Sequence, residues 1–584
     1  MMVFTNLLHA ILAVIALLIS TTAFGIEPKD QAVRTVRAHL IVQDPSSACE
    51  EAKFQLAHYS KEQALWDVYI FALAKARQER ALFAAWNEYK KLFPNAYEQR
   101  DVIENMAWGV IENGTHSPSP IIRAISLLGA FFGQDAKGIV FLRLHMQDKN
   151  SFLRGVAVQL AAQLRDASLC EAILHLLKRE KVWSVRLEAI KAVGKMKIHS
   201  AKNELIGIIS SEETTAEEKA AAIQSLVTLL EVADRNEIEQ LARSNRAGLR
   251  LLACEVVAHC ELANQVDLIL PLLQDHHSEV RASALAALGL LHLKEVQGQS
   301  ITNVMQRMTK DPDPTVAITA AWGLTLLNPQ EGQKAFASWV THPSSEIRVQ
   351  ASAALGACGK YANPYLLKAF NESQDPYVRM NLAIALIGQR IEVQSASQTL
   401  YQNLIGRKER WMWKDFHHFH ALAPSTLKFD AEAGMEHPEV VDQLTRLEIL
   451  NLLAMLQDSR AERALVDFLQ NKNWGVTGVA AALMLTEGDA ASTDLIKQLL
   501  THSVSKVRIQ AALILSLWGR GEDAIAVLRE SYPKADRELK ERILEGIGRI
   551  GAPSSIPFLV DSMQESSQAL RIIAASALLQ SLYH

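Results

Sequence analysis

Apolar and polar positions alternate along most of the chain with a helical period. In Val280-Arg281-Ala282-Ser283-Ala284-Leu285-Ala286-Ala287-Leu288-Gly289, the residues Val280, Ala284 and Leu288 fall four apart. That spacing puts them on one stripe of a helix. The string returns as Ile347-Arg348 with Ala351, Ala354, Leu355 and Gly356, and as Val185-Arg186 with Ala189, Ala192, Val193 and Gly194. Val378-Arg379, Val507-Arg508 and Leu570-Arg571 open further copies. A second apolar stretch precedes each string, as in Val266 to Leu273 and Asp494 to Leu500, and reads as another helix. The turns between them are punctuated by Asp, Ser, His and Pro, as in Asp311-Pro312-Asp313-Pro314. Proline suits the first turn of a helix, where its missing N–H would have no partner.

Alignment on the Arg gives positions 123, 154, 186, 219, 250, 281, 317, 348, 379, 410, 446, 477, 508, 540 and 571. The fourteen intervals run from 31 to 36 residues with a mean of 32, so the chain is a repeat array. Arg or Lys holds thirteen of the fifteen positions, Ala317 and Thr477 being the exceptions. The site three residues on is Ala in ten of fifteen, which lets neighbouring helices approach closely.

The motif Asp-Pro-x-Val-Arg-x-x-Leu-x-x-Ala-Leu-x-Gly, seen over Asp375 to Gly388, resembles the HEAT-like repeat family, in the short form also found in bilin lyases. The resemblance covers roughly residues 100 to 584. It implies an all-α fold: an α-solenoid, a superhelix of about fifteen HEAT-like helix pairs without sheet. It also implies that acidic turn residues and the helix-start Arg form a ladder between units. On that basis Arg154, Arg186, Arg281, Arg348, Arg379 and Arg508 are structural repeat positions. Arg410 departs from the pattern, with Glu409 before it and Trp413 in place of Ala.

The ends differ from the array. Residues 1–25 read as a signal peptide: the apolar run Leu7 to Ile19 is followed by Ala23-Phe24-Gly25, small at −3 and −1 of a cut before Ile26. An uncleaved anchor is the alternative. Residues 26–99 read as a divergent helical N-terminal cap, with helices over Ala52 to His58, Ala64 to Ala76 and Glu79 to Phe93. Residues 100–584 form the array.

Charge is nearly balanced, 60 Lys and Arg against 64 Asp and Glu, with no basic block, so the footprint of a nucleic-acid binder is missing. Five scattered cysteines, Cys49, Cys170, Cys254, Cys260 and Cys358, make a poor disulfide framework and read as small apolar residues. Eighteen His occur and none is followed by Glu, which excludes the di-iron chemistry of one enzyme of the family. No nucleophile or phosphate-cradling motif is present, so no catalytic residue and no cofactor is assigned.

One segment stands out. Arg410 to His420 packs Trp411, Trp413, Phe416 and Phe419 with three His into eleven residues of an aromatic-poor chain. These four rings are candidate partner-binding residues, since Trp is over-represented at binding hot spots. Asp415, His417 and His420 would reach one metal from a single helical turn. A locally repacked core is the third reading. Pro424, Gly434 and Pro438 suggest a loop leaving the repeat.

The expectation is therefore a non-catalytic interaction scaffold or assembly factor of the bacterial cell envelope. It would bind a protein or peptide partner on the solenoid surface. It would be periplasmic or cell-surface, with membrane contact only through an uncleaved signal. The alternative is a bilin-lyase-like enzyme or chaperone with a small ligand, which rests on fold analogy.

Overall fold

The computed structural model describes residues 28–583, apart from 134–135, 230–234, 428–437, 457–459, 461–493, 495, 518 and 520. The expected signal segment, Gly434 and repeat position Thr477 lie outside the described residues. Contacts divide the chain into two compact units, Met1–Ala161 with Ala511–His584, and Ala162–Gln510. Both are built from successive antiparallel helix pairs, and the fold class is an all-α solenoid. No helix among the described residues is long and apolar enough to cross a membrane.

In the unit of residues 162–510, Cys170–Arg179 pairs with Trp183–Lys195, and Lys202–Ser210 with Ala216–Leu229. The second helices that follow are Ala247–His259, Ser278–Leu290, Pro314–Leu327, Ser345–Ala357 and Pro376–Gly388. Each carries its aligned residue as the fourth helical residue. At Arg250, Arg281 and Arg348 the guanidinium reaches back to its own turn: Arg281 Nη1 donates to the Asp275 carbonyl at 2.8 Å and Arg348 Nη1 to the His342 carbonyl at 2.7 Å. Arg508 Nη1 does the same to His502 O at 2.8 Å. The other edge of the fork takes the acid of the next turn. Arg281 meets Asp311 at 2.8 Å, Arg250 meets Asp275 at 2.9 Å, and Arg186 pairs with the buried Glu218. The acid is itself held by its turn, since Asp311 accepts from the Asp313 N–H at 2.9 Å. Asp275, followed in its turn by His276 and His277, is thus committed to this ladder.

Small residues set the spacing. Gly289 of the Arg281 helix lies so close to the next helix that a Cβ there would sit 2.6 Å from the Trp322 ring. Ala284 and Ala351 are fully buried.

The structure corrects four expectations. Val266 to Leu273 is not one α-helix but two 3-10 stretches, Ala263–Leu268 and Leu270–Gln274, because Pro271 has no N–H to continue the ladder. The first 36-residue interval holds a small hairpin of β1 (Glu295–Val296) and β2 (Gln299–Ser300). Arg410 does not start a helix. The helix Val393–Gly406 is followed by a hairpin of β3 (Trp411–Phe416) and β4 (Phe419–Pro424), and its partner helix comes only at Pro438–Met455. Among the described residues the chain therefore holds two short hairpins, and aligned positions 410 and 446 fall within one helix pair. Arg379, on the last second helix before this insertion, meets no turn acid among the described residues; it lies over the Phe370 ring at 5.4 Å.

The other unit joins both ends of the array. Pro28–Ile41, Pro45–Leu56, Gln63–Lys75 and Glu79–Leu92 form the helical N-terminal region, with Trp86 and Tyr89 buried and stacked at 5.6 Å. The last helix, Gln568–Tyr583, packs on Arg537–Ile550 and also on Arg100–Thr115 and Pro120–Phe132. Arg571 pairs with Glu79, so an N-terminal helix supplies the acid that a following repeat would supply. The Tyr583 hydroxyl donates to Glu104 at 2.6 Å. The apolar ending Leu578-Leu579 is buried by these helices, so it needs no polar covering of its own.

Candidate functional site

The β3–β4 hairpin belongs to the unit of residues 162–510. Its sequence alternates in period two: Trp411, Trp413 and Asp415 on one face, Met412, Lys414 and Phe416 on the other. Aromatic residues favour such a pleated, half-buried surface. His417 turns the chain at φ 64°, on the left-handed side that few side chains accept, and the His418 N–H donates to the Phe416 carbonyl at 2.7 Å.

The hairpin lies against a row of second helices. At its tip, His417 and His418 come within 3.4 and 3.5 Å of Ser283 Oγ, and His417 Nε2 lies 3.2 Å from the Glu279 carbonyl. Both partners are on the Arg281 helix. Phe419 meets Trp322 of the next second helix edge-on at 5.8 Å. Lys414 pairs with Glu346 on the Arg348 helix. Asn381 on the Arg379 helix clamps one residue of β4 through its backbone: Nδ2 donates to Leu422 O at 2.9 Å, and the Leu422 N–H donates to Oδ1 at 2.8 Å. At the base, the Trp411 N–H donates to Asp442 at 2.7 Å, and the Arg446 guanidinium covers the Trp411 ring at 4.2 Å. Trp413 Nε1 donates to Glu448. Three outward backbone groups of the hairpin, the Trp411 N–H and the N–H and C=O of Leu422, are thus taken by side chains.

The four candidate rings part company. Trp411 and Phe419 are 0% and 3% exposed and serve as core anchors of the hairpin, whereas Trp413 and Phe416 are half-buried. The metal reading loses its geometry. Asp415, His417 and His420 do not share a helical turn: His417 occupies the hairpin turn, while His420 of β4 faces Asp415 of β3 with 4.0 Å between Nδ1 and Oδ1. Among the described residues no group of three or more His, Cys, Asp or Glu is placed to hold a metal ion. Burial, and then the charge of His417, push the His418 imidazole down to about 4.

Asn381, Ser283 and Trp322 escaped sequence reasoning. A signal was present. Two residues after each aligned position, the consecutive repeats carry Ser283, Thr319, Gln350 and Asn381, all buried, where earlier copies such as Leu252 and Val156 are apolar.

In the other unit a concavity of about 660 Å³ is lined by Arg37, Asp67, Phe71, Arg100, Asp101 and Asn105. Burial raises the Asp67 carboxyl, opposed by the hydrogen bond from Tyr89. All five cysteines are free, and Cys49, Cys254 and Cys358 are buried.

No curated protein matches the sequence significantly. Solved structures are similar at low identity. The karyopherin Kap121p, bound to the extreme C-terminus of the phosphatase Cdc14p, is 13% identical over 92% of this chain and 72% of its own, with a TM-score of 0.34. Yeast importin-β, Kap95p, is 13% identical over 82% and 72%, with a TM-score of 0.36. The UNC-45 chaperone is 12% identical over 95% and 76%, with a TM-score of 0.32. The family profile for HEAT repeats matches residues 139–227, 301–387 and 492–579, segments that include Arg186, Arg348 and Arg508 of the ladder. The chain is a HEAT-like repeat protein.

Proposed function

We propose that this chain is a non-catalytic scaffold or assembly factor of the bacterial cell envelope that binds a protein or peptide partner on its repeat surface. The observation that carries the binding half is the seat of the β3–β4 hairpin. A row of second helices already holds an extended polypeptide, through aromatic contact, ion pairing and a two-point clamp on its backbone. Helical repeats supply rigid extended surfaces of this kind. The half-buried Trp413 and Phe416 border that seat and offer ring surface to a partner. Export is supported by the apolar run Leu7 to Ile19 before Ala23-Phe24-Gly25.

The test is cross-linking of the tagged full chain in intact bacterial cells, followed by reconstitution with each cross-linked protein in purified form. One protein that re-forms a stoichiometric complex is expected. Terminal sequencing of the same preparation should read a start near Ile26; Met1 retained in an integral-membrane fraction would make the segment an anchor instead. A chromophore or other small molecule that copurifies without any protein would favour the second reading. The charged concavity around Arg37, Asp67 and Arg100 would then be its place.

A further inference from the structure

We propose that the row of second helices through Ser283, Gln350 and Asn381 is a docking surface for an extended polypeptide strand, and that the β3–β4 hairpin is its resident, exchangeable occupant. The inference rests on the reading of the chain as a polypeptide-binding scaffold and names its site and the chemistry of its partner.

Two independent features support it. The first is the nature of the grip on β4. The carboxamide of Asn381 takes both the N–H and the C=O of Leu422, a contact that any residue in an extended strand satisfies. Asn381 is held for this task by a third bond, from Nδ2 to the Tyr377 carbonyl at 2.8 Å. Such a clamp reads main chain, as strand addition does. The second feature is periodic. Buried polar residues stand two positions after the ladder in four consecutive repeats, as Ser283, Thr319, Gln350 and Asn381, with Gln510 in the same place after Arg508; the hairpin hydrogen-bonds the first and the last of the four. Burying an amide without need is costly, and the hairpin does not use them all: Gln350 Nε2 is buried without a hydrogen-bond partner, as is Trp322 Nε1 beside Phe419. The surface offers more polar contacts than its occupant fills.

The occupant defines what would replace it. Phe419, Ala421, Leu422 and Ala423 are buried, while His420 and Pro424 are exposed. A partner strand would thus carry an aromatic residue, one free position, then three small or aliphatic residues. A cation opposite Glu346 would add what Lys414 adds here. The hairpin enters between two helices of one repeat, Val393–Gly406 and Pro438–Met455, and the Arg281–Asp311 and Arg348–Asp375 pairs of the ladder use none of its residues.

The experiment uses a labelled peptide of residues 409–426 and the full chain. Ala421 is fully buried, so Ala421→Asp places a charge under the hairpin and drives it off while leaving the helices' own residues intact. The peptide is expected to bind Ala421→Asp at least tenfold more tightly than the wild type. Adding Asn381→Leu should cost at least tenfold of that affinity. Equal binding to Ala421→Asp and wild type, or indifference to Asn381→Leu, would overturn the proposal. A second variant replaces 411–424 with a Gly/Ser linker and should behave as Ala421→Asp does. If both variants lose their helical circular-dichroism signal, the hairpin is part of the core and the proposal fails. No natural partner enters this assay, so its failure leaves the result of the cell cross-linking standing by itself.

Discussion

Arg281 does two things with one side chain. It closes its own turn, reaches the acid of the next repeat, and does both while 14% exposed, with Asp311 at 7%. Two charges this buried depend on each other: Arg281→Ala would strand the Asp311 carboxylate and should cost about 3 kcal/mol. Leucine at both positions should cost clearly less, because no charge is left behind. Urea melts of the single and double variants decide this. His418 is the second telling residue. In the unfolded chain its imidazole titrates near 6.5; in the fold it is pushed down to about 4 by burial and by His417, with Glu255 facing it through Ser283. Between those values the unfolded chain binds a proton that the folded chain refuses. Stability should therefore fall as pH drops from about 6.5 to about 4, by an amount on the order of 1–3 kcal/mol. His418→Phe should flatten that window in melts recorded across it.

The elements divide by how much of their logic is local. The helix pairs were legible because each obeys a period of 3.6 and a start signal repeated along the chain, such as Asp313 capping the N–H groups of Thr315 and Val316 ahead of Pro314. Three helices of the N-terminal region were legible from the helical period alone, since that region lies off the repeat; Pro28–Ile41 was not. The β3–β4 hairpin was not. Arg410 falls in register with the repeats, and that agreement masked the period-two pattern of Trp411 to Phe416. The site was only half legible: the aromatic excess marked the segment, but its seat depends on Asn381 and Ser283 from distant repeats, and no local pattern joins them. Burial now separates the rings. Trp411→Ala should cost about 3–5 kcal/mol, as expected for a large side chain emptied from a core. Trp413→Ala should cost about 1 kcal/mol or less and act instead on partner recovery. Melting temperature and recovery of the cross-linked partner, measured together, check both statements.

At the scale of the whole chain, the ends matter most. The last helix buries its apolar face on Arg100–Thr115 and Pro120–Phe132, and the Arg571–Glu79 pair carries the ladder from the last repeat to an N-terminal helix. Deleting residues 568–584 should therefore unfold the unit that contains both ends while leaving residues 162–510 folded. Calorimetry would show this as loss of one transition, whereas a uniform small shift of the whole melt would speak against the division. The central claim is that a strand of this chain is held on the second helices of its own repeats. Hydrogen–deuterium exchange of the full chain reads that directly. Segment 419–423 should be protected in the wild type and should exchange much faster in Asn381→Leu, with segment 345–357 unchanged in both. Exchange at the rate of a solvated loop in the wild type, or a rate that ignores Asn381→Leu, would contradict it.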